Sequence, residues 1–228
     1  MKAMDDEKSV LRWGGLAGML GGIVFILMMV ILLVLASDPN ASPEELLMRF
    51  PNDRATTFLG ESLYLVALIL SVTLFLALYR ALRGTSLAPA LFGTGLAFLG
   101  FAVLAAGALP NVAFAPIADL YHAPGATPGE QTALIPLWQA TQGIFYETDT
   151  VGFLLLMIGL IVLGVGMFRA PTFGKGFGGV SVVIGVVGIV AIYVVGVSSL
   201  SFAAVVILTN VIYPLLFGWK VYRLSRTP

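Results

Sequence analysis

Ten of the chain's twelve Lys and Arg residues fall in alternate gaps between long apolar stretches, and that alternation restricts the fold more than any motif does. Lys2, Lys8 and Arg12 precede the first stretch, Arg80 and Arg83 follow the second, Arg169 and Lys175 follow the fourth, and Lys220, Arg223 and Arg226 follow the last. Only Arg49 and Arg54 stand outside the pattern. Cytoplasmic loops of membrane proteins carry an excess of Lys and Arg. The pattern therefore predicts an all-α polytopic membrane protein, with six transmembrane helices in an up-down bundle and both termini in the cytoplasm. The composition agrees, because 59% of the residues are hydrophobic and 11% are charged, whereas a soluble domain is roughly 25% charged.

A span needs about 20 apolar residues to cross a hydrocarbon core of about 30 Å. Applied to a single transmembrane domain of residues 1–228, this places spans near 13–36, 58–79, 87–110, 147–168, 177–197 and 200–219. The charged N-terminus is read as leading into the first span, since the apolar run after it is too long for a cleaved signal and acids interrupt its basic part. The short inner loops at 80–86 and 169–176 should make antiparallel neighbours of spans two and three and of spans four and five. A tight, uncharged gap near 197–201 should turn spans five and six into a hairpin at the outer surface.

Small residues recur at the cytoplasmic ends of the odd-numbered spans. Gly14, Gly18 and Gly22 follow one another at four-residue spacing, Gly93 and Ala97 lie in span three, and Gly174, Gly178, Ser181 and Gly185 lie in and before span five. In lipid, helices approach closely through such residues. The first set either packs within the chain or forms a homo-oligomer face through Gly14, Gly18 and Gly22. On the outer side, Ser42-Pro43-Glu44-Glu45 has the form of a capping box, so a short surface helix is expected at 43–50. A loop is expected at 111–135. Residues 134–169 read as continuously helical, and at 1.5 Å per residue this segment either projects beyond the membrane or bends near Gly143 or Gly152.

The basic residues also serve as a depth gauge. Glu61 lies nineteen residues before Arg80, and Asp149 and Glu147 lie at a similar distance before Arg169. With Asn111 at the outer end of span three and Tyr64 one turn below Glu61, these residues form a candidate ligand-binding vestibule near the outer boundary. Gln142, Tyr146 and Trp138 border it. Ionisable groups at membrane depth are costly and mark functional sites. The alternatives are hydrated carboxylates that cap helix starts, or ion pairs to Arg49 or Arg54. Glu147 and Asp149 lie about 200° apart around a helix, so Glu61 with one of them is the better pair. In the last span, Pro214 removes the hydrogen bond to the Asn210 carbonyl and is expected to kink the helix. This makes Asn210 and Tyr213 further candidate ligand-binding residues on a polar cavity wall.

Several chemistries are excluded by residue type. A net charge of zero offers no clustered basic face for nucleic acid. With no cysteine and a single histidine, His122 in a loop, the chain implies no metal, no cofactor and no Ser-His catalytic pair. No catalytic residue is assigned. Residues 76–100 (LALYRALRGTSLAPALFGTGLAFLG) and 159–190 (GLIVLGVGMFRAPTFGKGFGGVSVVIGVVGIV), with the opening RWGGLAGMLGGIVF, resemble a broad group of bacterial six-helix membrane proteins built on a domain of unknown function. The resemblance implies a bacterial inner membrane and carries no catalytic residue with it. The expected function is therefore non-enzymatic: an outward-facing polar vestibule that binds a small molecule or cation in the lipid bilayer, in the manner of a transporter. A structural subunit packing through Gly-rich faces, and a lipid-acting enzyme using Glu61 or Glu147 as base, are the other readings.

Overall fold

The computed structural model describes residues 2–35, 41–195 and 200–226. Its helices are α1 (Lys2–Leu35), α2 (Pro43–Leu82), α3 (Leu87–Gly107), α4 (Phe114–Tyr121), α5 (Pro128–Arg169), α6 (Gly174–Val195), α7 (Leu200–Ile207) and α8 (Tyr213–Leu224). A 3-10 turn, Leu109–Ala113, joins α3 to α4, and a π-helical turn, Leu208–Ile212, joins α7 to α8. Six stretches are long and apolar enough to cross a membrane, the sixth being Ala203–Leu224. The chain is an all-α, multi-pass bundle, and its exposed side chains include large apolar ones such as Ile23, Leu27 and Val30 on α1 and Val183 and Val190 on α6. Such a surface suits lipid. The expected hairpin turn at 197–201 lies largely outside the described residues.

Glycine pairs set the helix crossings. A Cβ added to Gly93 would lie 3.0 Å from the Gly159 carbonyl oxygen, and one on Gly159 would lie 2.8 Å from that of Gly93. Gly100 with Gly152, Gly164 with Gly178, and Gly15 with Gly218 repeat this reciprocity. These pairs lock α3 to α5, α5 to α6 and α1 to α8. In lipid, where apolar burial gives helices no mutual attraction, such backbone approach is the main source of packing energy. The oligomer face expected at Gly14, Gly18 and Gly22 is occupied within the chain: Gly14 meets Ala77, a Cβ on Gly18 would lie 2.7 Å from Leu74, and one on Gly22 would lie 3.0 Å from Leu215.

The two longest helices far exceed the membrane thickness. At 1.5 Å per residue the 40 residues of α2 and 42 of α5 extend about 60 Å, twice a hydrocarbon core of about 30 Å. Helix α5 is continuous across Gly143 and Gly152. Its start is fixed by a second capping box, in which Glu130 Oε2 accepts from the Thr127 amide at 2.8 Å. The expected loop at 111–135 is correspondingly short, because the 3-10 turn, α4 and the first turns of α5 fill most of it. The apolar face of α4 makes these residues ordered: Ala115, Ile117, Ala118 and Tyr121 pack with Leu47 and Phe50 of α2 and Trp138 of α5 into an outer cap. The Trp138 ring lies 4.2 Å from that of Phe114 and 5.5 Å, edge-on, from that of Phe50.

The capping box at Ser42 forms as expected, with Ser42 N donating to Glu45 Oε2 at 2.7 Å, but the helix it starts does not end at 50. Pro51 sits inside α2. Proline removes a donor and frees the carbonyl four residues back, here that of Leu47. His122 Nε2 lies 3.1 Å from that oxygen and satisfies it in the tautomer protonated at Nε2. The residues expected as a separate surface helix are therefore the first turns of α2, and His122 is a cap contact rather than a solvated loop residue.

At Pro214, where a kink is expected, the helix carries a widened turn: the Tyr213 amide donates to Leu208 O, five residues back, the pattern of a π-bulge, which is itself a common cause of helix bending. Tyr213 is buried, its ring stacked 4.0 Å from Phe217 and 5.8 Å from Phe75. Tyr213 is not among the residues lining the cavity described below. It is core.

The glycine crossings make a prediction of opposite signs at two helical glycines. Gly159→Ala should destabilise the protein by about 1–3 kcal/mol through overpacking. Gly95→Ala, where nothing lies within 4 Å of the added methyl, should be neutral or stabilising by up to about 1 kcal/mol. Thermal unfolding of the purified protein in detergent reads both, and equal responses would contradict the packing account.

Candidate functional site

Helical periodicity brings the site together from four elements. On α2, Thr57, Glu61 and Tyr64 follow at i, i+4 and i+7, which is one face. On α5, Phe145, Asp149 and Phe153 repeat every four residues, and on α1 Phe25, Met28, Met29 and Leu32 do likewise. With Gly60 and with Val206 of α7, these residues line a partly open cavity of about 200 Å³. Its wall is apolar and aromatic apart from Thr57, Glu61, Tyr64 and Asp149. No Lys, Arg or His lines it.

The polar groups are unequally satisfied. Asn111, buried in the 3-10 turn after α3, donates from Nδ2 to Glu61 Oε1 at 2.6 Å. Thr57 Oγ1 donates to Asp53 O within α2 at 3.0 Å. Asp149 and Tyr64 are each 9% exposed, and among the described residues neither Asp149 Oδ1 nor the Tyr64 hydroxyl has a hydrogen-bond partner. A buried polar group left unpaired costs about 1–3 kcal/mol, and each such group in a folded protein calls for an explanation. Asp149 Oδ1 faces Gly107 of α3, where a Cβ would lie 3.3 Å from it. The α3–α5 crossing thus makes room for the carboxylate.

Of the residues expected here, Glu61, Tyr64, Asn111 and Asp149 come together. Glu147 does not: it is exposed, turned away from the cavity by the rotation that points Asp149 inward. Asn210 is buried beside the site, but its Nδ2 donates to Val206 O at 3.1 Å, inside its own helix, and it is not among the residues lining this cavity. Tyr213 lies in the central stack, with its hydroxyl 3.5 Å from Ser181 Oγ. The expected latch from the outer loop does not reach the carboxylates either, because Arg54 pairs with Asp119 of α4 at 3.0 Å. Trp138 belongs to the outer cap. The apolar lining from α1 and the aromatic pair Phe145 and Phe153 went unassigned in the sequence. The i, i+4 repeat around Asp149 is a signal that places those two phenylalanines on its face.

Chemically, the site sets two carboxylates and a phenol in an apolar enclosure. Among the described residues no three His, Asp or Glu side chains converge as metal ligands. Comparison of the chain with protein-family models, with curated proteins and with solved structures finds no match.

The hydrogen bond to Glu61 predicts that Asn111→Ala lowers stability by about 1–3 kcal/mol, since it leaves a half-buried carboxylate without its donor. Glu147→Gln, at an exposed position, should change stability by less than about 0.5 kcal/mol. Paired melting curves check this, and equal effects would show that the two positions are not distinguished as described.

Proposed function

We propose that this chain is a non-enzymatic membrane protein of a bacterial cytoplasmic membrane that binds a small cation in the cavity between α1, α2, α5 and α7, as a step in moving it across the bilayer. One observation carries the reading: Glu61 and Asp149 share a partly open, mostly apolar cavity that no basic side chain lines among the described residues. Two like charges in an apolar surrounding repel each other and lose solvation. A cation entering the cavity offsets both costs at once, so the empty site is predisposed to a positive ligand.

The position of the cavity supports an outward-facing role. Glu61 and Asp149 stand nineteen and twenty residues from Arg80 and Arg169, one hydrocarbon thickness from the basic face. The π-helical turn lies directly after Val206 of the cavity wall. Such turns are frequent at functional sites, and broken helices beside a binding site are a recurrent element of transporters. The bacterial origin rests on the resemblance of residues 76–100 and 159–190. The Gly-rich faces that a structural subunit would offer a partner are occupied inside the bundle at all four reciprocal pairs.

The test is a thermal-shift series on the purified protein with inorganic and organic monovalent cations. A cation at a hundred times its Kd should stabilise the wild type by about 2.7 kcal/mol. The shift should vanish in Asp149→Asn and Glu61→Gln and persist in Glu147→Gln. If no cation shifts the wild type, or if the shift survives loss of both carboxylates, the reading fails.

A further inference from the structure

We infer that the cation is a small protonated primary or secondary amine with an apolar body, its ammonium held by Asp149, Glu61 and Tyr64. The inference rests on the proposed cation-binding role and narrows it to a ligand class. Three observations carry it.

The first is the pattern of unused acceptors. Asn111 occupies Glu61 Oε1, whereas Asp149 and Tyr64 are nine-tenths buried and, among the described residues, Asp149 Oδ1 and the Tyr64 hydroxyl have no partner. An ammonium bearing two or three N–H donors satisfies several such acceptors from one nitrogen. A quaternary ammonium has no N–H and leaves them unpaired, which is a costly mismatch in a site built to hydrogen-bond.

The second is the rest of the wall. A hard divalent ion such as Ca²⁺ or Mg²⁺ takes six or more oxygen ligands, and zinc takes about four, mostly His and Cys, whereas here two carboxylates, a phenol and an already bonded Thr57 hydroxyl stand among Phe25, Phe145, Phe153 and methionines. That wall cannot rehydrate a bare inorganic ion. It suits a hydrocarbon body, and its rings attract the adjoining positive charge through their faces.

The third is size. A cavity of about 200 Å³ is smaller than the roughly 300–1,000 Å³ typical for drug-sized ligands, which favours an amine carrying one ring or a short alkyl chain.

Calorimetric titration of the detergent-purified protein with four probes tests this: phenethylammonium, its N,N,N-trimethyl analogue, neutral 2-phenylethanol, and sodium ion. Phenethylammonium should bind at least about tenfold more tightly than the trimethyl analogue, because the latter forfeits the charge-assisted hydrogen bonds, and the alcohol should not bind measurably. Asp149→Asn should abolish amine binding. Tyr64→Phe, which removes only an unpartnered hydroxyl and should fold normally, should weaken the amine severalfold and leave the trimethyl analogue unchanged. If the trimethyl analogue or sodium binds as well as or better than the amine, the amine assignment is overturned and the cation-binding role survives. If the alcohol matches the amine, or nothing binds, both fall together.

Discussion

Backbone-to-backbone contact at glycine is the interaction on which the arrangement depends. Inside a bilayer, lipid tails are as apolar as leucine, so helices gain little by hiding apolar side chains from one another. Contact must come from proximity, and proximity requires that one helix present no Cβ where the other presents its carbonyls. The pairs Gly93–Gly159, Gly100–Gly152 and Gly164–Gly178 all involve α5, which makes that helix the hub of the bundle. The functional geometry is a by-product of the same contacts. Asp149 lies three residues from Gly152 and faces Gly107, so the register that brings the glycines together also sets the depth and direction of the carboxylate.

A second constraint is that prolines interrupt the hydrogen-bond ladder of long helices, and at two of them, Pro51 and Pro214, the local structure answers differently. At Pro51, in the first turns of α2, the Leu47 carbonyl is met by the side chain of His122, which caps the end of α4. At Pro214, within the span Ala203–Leu224, the ladder itself widens into a π-turn. The difference follows from surroundings: the cap has a polar neighbour at hand, whereas within the bilayer a backbone group is best satisfied by its own helix.

The basic-residue alternation made the six-span, all-α plan legible from sequence, and counting from it grouped residues that the fold brings together. Glu61 and Asp149, placed at one height by counting from Arg80 and Arg169, line the same cavity. Rotation about the helix axis was only half legible. Spacing separated Glu147 from Asp149 by about 200° but gave no means of choosing which faced inward, because that depends on where α3 and α6 grip α5. The same gap explains Gly14, Gly18 and Gly22, whose spacing is equally good for another copy or for α2 and α8. The α4 cap escaped notice because its eight residues are too few for a period to stand out, and Pro51 looked like a helix end because its partner, His122, is distant in sequence.

The cavity divides its labour between helices. Every charged group on its wall comes from α2 and α5, and α1 supplies only Phe25, Met28, Met29 and Leu32. In the proposed cation-binding role, α1 would shape the space around a ligand's body while contributing none of the charge that holds its head. Substitutions along one face of α1 would then remould that volume without touching either carboxylate, and a lineage carrying this fold would reach new ligands of the same charge through a handful of apolar exchanges in its first helix.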